Sequence, residues 1–157
     1  MGTYLHTMKI LLLTIALCLV APCVLAQVTT DIQADTARAN QIIAEGNIAY
    51  QKGKFEVAFR LADSAQAIFE RSIGSRCLEV VYALECKAFC RLRQGTAAAA
   101  IPYLDRAQAI LTSLFGTGHP EVANFLSNTG DCYYTIRDLD KALDAHLKAL
   151  AIRLSSS

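Results

Sequence analysis

The alternation of apolar and polar positions along this chain has helical spacing, and it occurs three times at an offset of 42 residues. The segment DSAQAI at 63–68 recurs as DRAQAI at 105–110 and, more loosely, as ALAI at 149–152. Other columns keep this register: Ile42, Leu84 and Leu126; Gly46, Ala88 and Gly130; Tyr50, Leu92 and Tyr134; Ala58, Ala100 and Ala142; Gly53 and Gly95, with Arg137 as the exception. Agreement among several columns at one offset predicts three structural repeats.

Each repeat predicts two helices, because apolar residues recur at intervals of three and four and glycines mostly separate the segments. The predicted helices run from about 31 to 52, 55 to 73, 76 to 94, 96 to 115, 120 to 136 and 138 to 154. Thr96 and Asp138 are predicted N-caps, and Pro120 is expected at the first position of its helix. Pro102 is expected to bend the fourth helix or to move its first turn toward Ile101.

The first 26 residues differ from the rest, because they hold 19 apolar residues and a single charged one, Lys9. An apolar run from Ile10 to Val20, followed by Val24-Leu25-Ala26, is typical of an export signal cleaved before Gln27. An uncleaved membrane anchor is the alternative, but the run is shorter than the roughly 20 residues that span a bilayer. Lipid attachment at Cys23 is disfavoured by the proline before it.

These features predict an exported protein, periplasmic or secreted, that has no contact with the membrane after cleavage. The predicted domains are a signal peptide at 1–26, a repeat domain at 27–154 and a tail at 155–157. Within the repeat domain, the three repeats cover about 39–80, 81–122 and 123–154.

Composition and charge narrow the classes of function. Residues 27–157 carry 14 basic and 14 acidic side chains, so the predicted mature chain is neutral and has no basic excess for nucleic acid. Twenty-two alanines in the same segment favour helices that approach closely over a core of large side chains. Together with the scarcity of β-branched runs, this composition predicts an all-α fold.

Four cysteines remain after the predicted cleavage: Cys77, Cys86, Cys90 and Cys132. An even number in an exported protein suggests disulfides. However, Cys90 and Cys132 occupy the same repeat position, so helix packing should hold their backbones about 8 to 10 Å apart, beyond bridging distance. Small buried apolar residues are the preferred interpretation, and a zinc site using Cys86 and Cys90 is disfavoured because no Cys-x2-Cys pair is present.

The repeat columns resemble the tetratricopeptide repeat in its 42-residue, kinesin-light-chain form. The segments FGTGHPEVA at 115–123 and DKAL at 140–143 carry this resemblance, which covers about 39–153. Departures are Arg137, where the turn between the two helices usually has glycine, and GSRC at 74–77, where a histidine-proline turn would be expected. The resemblance implies a short right-handed α-solenoid of three helical hairpins.

The resemblance also implies that the first helices of the repeats form a concave wall that binds an extended peptide or a partner helix. The implied groove residues are Asn40, Ile43, Asn47, Tyr50 and Gln51; Tyr82, Glu85, Phe89, Leu92 and Arg93; and Asn124, Ser127, Asp131, Tyr134 and Thr135. The alternative is a solvated face with packing aromatics. The family's carboxylate clamp needs basic residues where this chain has Ile43, Asn124 and Asn128, and only Asn47 matches, so an acidic C-terminus is a disfavoured partner.

No pattern of catalytic, cofactor-binding or metal-binding residues is present, so the sequence predicts a chain that is not an enzyme. His119 lies in a turn that the repeat explains. His146 takes a packing position whose counterparts are Ala62 and Leu104. Both histidines are therefore expected to be structural, and His6 leaves with the signal.

The last helix predicts an uncovered apolar surface, because Leu143, Leu147, Leu150 and Leu154 follow one another without a polar capping helix. A second copy, a partner or further repeats would cover it. Two hypotheses about function follow: an exported scaffold that binds a protein or peptide, or the N-terminal sensing or docking segment of a larger signalling protein or peptidase.

Overall fold

Six helices make up the described part of the chain, and no strand occurs in it. The computed structural model describes residues 2–155, with side chains from residue 26 onward. Met1 and the last two residues of the predicted tail lie outside it, as do the side chains of His6, Lys9, Cys18 and Cys23. The helices are α1 (Gly2–Gln51), α2 (Phe55–Ser72), α3 (Leu78–Arg93), α4 (Ala97–Phe115), α5 (Pro120–Thr135) and α6 (Leu139–Ser155). The all-α prediction is confirmed.

The chain divides into two compact units, one up to Asp35 and one from Thr36 onward. In the first unit the backbone is helical, and the Thr29 hydroxyl donates to the carbonyl of Ala26. In the second unit α2 packs on α3, α3 on α4, α4 on α5 and α5 on α6. This succession of neighbours is that of stacked helical hairpins. None of the helices, over the residues searched, is long and apolar enough to cross a membrane.

Small residues fill the contacts between helices of the second unit. The alanine columns that the sequence singles out are all buried: Ala58, Ala100 and Ala142; Ala65, Ala107 and Ala149. Gly46 lies against α2, where an added Cβ would make ordinary van der Waals contact with the Leu61 Cβ at 3.5 Å. The larger buried side chains, Phe69, Leu84, Leu104 and Leu111, belong to one continuous core. The prediction that alanines allow the helices to pack closely is therefore confirmed.

The turn inside each repeat has the same backbone geometry three times. Gly53, Gly95 and Arg137 adopt φ values of 71°, 76° and 66°. In each turn, the amide of the next residue donates across the turn to a carbonyl five residues back, at 2.9 Å: Lys54 to Ala49, Thr96 to Arg91 and Asp138 to Tyr133. These bonds are those of a glycine-terminated helix end. In the third turn, Arg137 therefore adopts a backbone conformation that glycine would adopt more easily.

Replacing Arg137 with glycine should stabilise the fold. A left-handed conformation costs a residue with a Cβ about 1–2 kcal/mol, and glycine's greater freedom in the unfolded chain offsets about half of that. We expect Arg137→Gly to raise the free energy of unfolding by about 0.5–1 kcal/mol, measured by urea denaturation followed by circular dichroism. Gly95→Ala should lower the free energy of unfolding, because it places a Cβ on a residue with a left-handed backbone conformation. Equal stability of Arg137→Gly and the parent chain would contradict this interpretation of the turn.

The structure corrects three local predictions. The first helix begins at Gly2 rather than near Asp31. The hydroxyl of Thr96 donates to the carbonyl of Arg91 at 2.9 Å and makes no capping bond to α4. Helix α4 begins at Ala97 with Pro102 inside it, so the proline does not move the first turn toward Ile101. The alternative, a bend at Pro102, stays a prediction. Pro102 is exposed, where solvent can reach the carbonyl that it leaves without a donor.

A buried cation joins the first two repeats. The Nζ atom of Lys87 in α3 donates to Asp63 Oδ1 and to Gln66 Oε1 of α2, the latter at 3.2 Å. The same atom lies 4.7 Å from the ring centre of Tyr103 and 5.2 Å from that of Phe59. The carboxylate, the amide oxygen and two ring faces together offset the loss of water around the ammonium group. The first and second repeats are thereby held in one register.

Candidate functional site

The first helices of the first two repeats enclose a cavity of about 330 Å³, here called the first cavity. Six of the predicted groove positions line it: Asn40, Ile43, Asn47, Tyr82, Glu85 and Phe89. Phe69, Glu79 and Cys86 complete the lining. Amide groups from α1 therefore face two carboxylates and two aromatic rings from α3 across an open space. Such a mixture suits a peptide, whose backbone needs both donors and acceptors.

A second cavity, of about 210 Å³, lies between α3 and α5. Its lining includes Tyr82 and Glu85, so these two residues belong to both cavities. Glu121 and His119, at the start of α5, contribute the other polar groups. The rest of the wall is apolar and consists of Leu78, Val81, Leu111, Phe115 and Phe125. We call the two cavities together the groove. Tyr82, 59% exposed, stands where they meet.

The carboxylate of Glu85 lies where its negative charge is disfavoured. Burial raises the pKa of Glu85, and the nearby negative charge of Glu121 raises it further. Acidic residues of α2 have cationic partners instead: Asp63 meets Lys87, Glu56 meets Arg91 at 3.2 Å, and Glu70 meets Arg106. Among the described residues, no hydrogen bond or ion pair engages the Glu85 carboxylate.

Several predicted groove residues of the first two repeats lie outside both cavities. Tyr50 is half-buried and packs edge-on against Phe55, with ring centres 5.4 Å apart. The guanidinium of Arg93 lies 5.9 Å from the same Phe55 ring. Gln51 is exposed, whereas Leu92 packs against the main core. These side chains extend or support the first-helix face without lining the groove.

The predicted residues of the third repeat also lie apart from both cavities. Asn124 Oδ1 and Ser127 Oγ accept hydrogen bonds from Arg153 of α6, at 3.3 and 3.0 Å. Asp131 lies beside His146, with 3.5 Å between Oδ1 and Nε2. Tyr134 is 63% exposed. Thr135 is exposed and donates its hydroxyl to the Asp131 carbonyl at 2.8 Å. The structure thus brings six residues of the first two predicted sets together around the first cavity, and none of the third set.

The groove also contains residues that the sequence comparison missed. Phe69 near the end of α2 lines the first cavity, and Leu111 near the end of α4 lines the second. These residues and Arg153 are spaced by 42, so they form one more repeat column. Extending the column comparison to the ends of the second helices would have found them.

Both histidines have the structural roles expected of them. His119 Nδ1 accepts from the Glu121 amide at 3.2 Å and so caps α5, with Pro120 at the first helical position. The His119 ring stacks on Phe115 with 4.6 Å between ring centres. The ring of His146 covers Gly130 so closely that an added Cβ would lie 2.8 Å from it. Each ring is thus engaged in helix capping or helix packing.

The four described cysteines are free thiols, and their surroundings divide them into two pairs. Cys90 and Cys132 are buried, as predicted for small apolar residues, whereas Cys77 and Cys86 are half-buried. Burial raises the pKa of Cys90 to about 12 and that of Cys132 to about 11. In the part of the chain searched for metal sites, no group of three or more histidine, cysteine or acidic residues could hold an ion.

Comparison with known proteins agrees with this architecture. The family model of the tetratricopeptide repeat matches residues 79–155, from the second residue of α3 to the end of α6. These residues belong to the tetratricopeptide repeat family, which confirms the predicted resemblance. A curated relative, a clustered mitochondria protein homolog of Lodderomyces elongisporus, is 28% identical over 120 residues, which are 76% of this chain and 8% of that protein.

Three solved structures share the repeat fold. BtubC (BKLC) from P. vanneervenii matches 74% of this chain and 46% of its own, with a TM-score of 0.70 and 22% identity. Kinesin-light-chain TPR-like repeats from Podosopora anserina match 78% and 58%, with a TM-score of 0.66 and 16% identity. The TPR domain of Arabidopsis FLU matches 78% and 99%, with a TM-score of 0.68 and 20% identity. The chain thus spans about half the length of the first two solved chains.

Proposed function

We propose that this tetratricopeptide repeat protein is a non-catalytic scaffold that binds an extended peptide segment of a protein partner in the groove. The observation that carries this proposal is the convergence of Asn40 and Asn47 from α1 with Tyr82 and Phe89 from α3 around one cavity. The two amides supply donors and acceptors for a peptide backbone, and the two rings supply rigid apolar contact at small entropic cost. The repeat family, whose domains bind protein partners, gives the same general class of function.

Replacing Tyr82 with alanine should reduce peptide binding at least tenfold and leave the fold intact. The side chain is 59% exposed and borders both cavities, so its loss removes contact with a ligand and little buried area. The measurement is fluorescence polarisation with peptides selected from a displayed random library. Tyr134→Ala is the matched control, because Tyr134 is equally exposed and lies outside both cavities. Equal loss of binding in the two variants would place the ligand elsewhere.

We propose further that the protein is exported, on the strength of its first 26 residues. Expression with the native N-terminus in a bacterium should give a mature chain that begins at Gln27. Mass spectrometry of the purified protein measures this directly. A chain that keeps residues 1–26 and stays in the cytoplasm would contradict export while leaving the binding proposal untouched.

A further inference from the structure

We propose that the groove selects peptides with a cationic side chain, arginine or lysine, which binds between Glu79, Glu85 and Glu121. The inference rests on the proposed peptide-binding function and names the chemistry of its ligand. Glu79 lines the first cavity, Glu121 the second, and Glu85 both. No lysine or arginine lines either cavity. The charge of the groove is therefore supplied by carboxylates, with His119 at the edge of the second cavity.

The position of Glu85 makes it the main contact for such a side chain. Its carboxylate is half-buried and has no hydrogen bond or ion pair within the described residues. In the neighbouring helix α2, by contrast, four acidic or amide side chains are paired: Glu56, Asp63, Gln66 and Glu70. A cation of the ligand could pair with the Glu85 carboxylate in the same way that Lys87 pairs with Asp63. Partial burial also weakens solvent screening, which strengthens the attraction.

The walls of the groove suit the rest of a basic side chain. Phe89 and Tyr82 lie on the same helix as Glu85 and line the same cavity. The aliphatic stem of lysine or arginine can pack on these rings while its charged end reaches the carboxylate. The fold already contains this arrangement, since the Lys87 ammonium lies against Tyr103 and Phe59 next to Asp63. A cation can therefore gain from both the rings and the carboxylate.

The test begins with selection of short random peptides on the complete, correctly processed chain. We expect arginine and lysine to be enriched at one position. In the best arginine peptide, exchange of arginine for citrulline, which is neutral but similar in shape, should weaken binding about tenfold or more. Glu85→Gln should weaken the arginine peptide to a similar degree and hardly affect the citrulline peptide. This double-mutant comparison isolates the charge pair. Glu45→Gln, outside both cavities, is the matched control and should bind like the parent chain.

Folding of Glu85→Gln is not expected to confuse the result. Burial and Glu121 raise the pKa of Glu85, so the folded chain holds this proton more tightly than the unfolded chain does. The group therefore favours folding at low pH and opposes it as the pH rises past its folded pKa. Removing the charge should leave the melting temperature unchanged or higher at neutral pH. Glu121→Gln, at an exposed position, provides a second variant that should also weaken the arginine peptide.

The outcomes separate this inference from the proposed function. Peptides that depend on Tyr82 but bind equally with arginine and citrulline would overturn the cationic preference and leave the peptide-binding scaffold standing. Enrichment of acidic peptides that depend on Tyr82 would overturn it as well. Peptides whose binding is unaffected by Tyr82→Ala would overturn both proposals.

Discussion

Replacing Phe69 with alanine is expected to lower the free energy of unfolding by about 3–5 kcal/mol. Phe69 is 1% exposed and is the largest of the fully buried side chains. It lies at the end of α2 in the main core and also forms part of the wall of the first cavity between α1 and α3. Truncation would therefore leave a hole at the junction of the first two repeats, and surrounding side chains in a close-packed core relax only partly to fill such a hole.

The damage should be local, because in a repeat protein each hairpin is stabilised mainly by its neighbours. Hydrogen exchange should show lost protection in α2 and the adjoining part of α1, with much smaller changes in α5 and α6. Phe115→Ala is the matched control, since Phe115 is 46% exposed and its loss should cost far less. A uniform loss of protection in all helices would contradict the view that the repeats unfold as separable units.

A dimer should form through α6, and two glutamates placed on its exposed leucines should abolish it. Leu143, Leu147, Leu150 and Leu154 are each between 50% and 69% exposed. Their intervals of four, three and four residues are those of a coiled-coil seam, so two α6 helices can pair with leucine against leucine. We expect the parent chain to dimerise at high micromolar concentration, and Leu147→Glu with Leu150→Glu to be monomeric in analytical ultracentrifugation.

The four exposed leucines of α6 differ from the residues at the corresponding positions of the first repeat. In α2 these positions hold Phe59, Asp63, Gln66 and Glu70, and the last three bind Lys87 or Arg106 of the next repeat. In α6 all four are leucine, so a partner there would meet an apolar surface rather than an array of acceptors. Leu114→Glu, which places a glutamate on an exposed part of α4, is the control and should leave the dimer intact. A strict monomer in the parent chain would rule out the second copy as the occupant.

The fold was predictable from the sequence because the contacts that define it are repeated. Alanine at 58, 100 and 142, and again at 65, 107 and 149, sits where helices approach most closely, and no larger residue fits there without moving a helix. The start of α1 was not predictable. Between Pro22 and Gly46 the sequence has no residue that would end a helix, so the acidic residue at 31 was a poor marker of the first turn.

The groove was predictable in part, for a physical reason. Its first-helix positions follow from the repeat, and six of them line the first cavity. Whether a position is available also depends on the end of the second helix. Phe69 and Leu111 pack inward there and leave the groove open, whereas Arg153 extends to Asn124 and Ser127 and occupies their polar groups. A single arginine in place of an apolar residue thus removes part of the third repeat from the predicted site.

The two buried thiols give the protein a pair of internal chemical reporters. Cys90 lies in α3 and Cys132 in α5, at the same position of consecutive repeats. With pKa values of about 12 and about 11, both are almost entirely protonated at neutral pH, and both are shielded from solvent. Alkylating reagents attack the thiolate, so each sulfur reacts only when its own helix opens. The ratio of the two labelling rates then compares how often adjacent repeats open, without any engineered label.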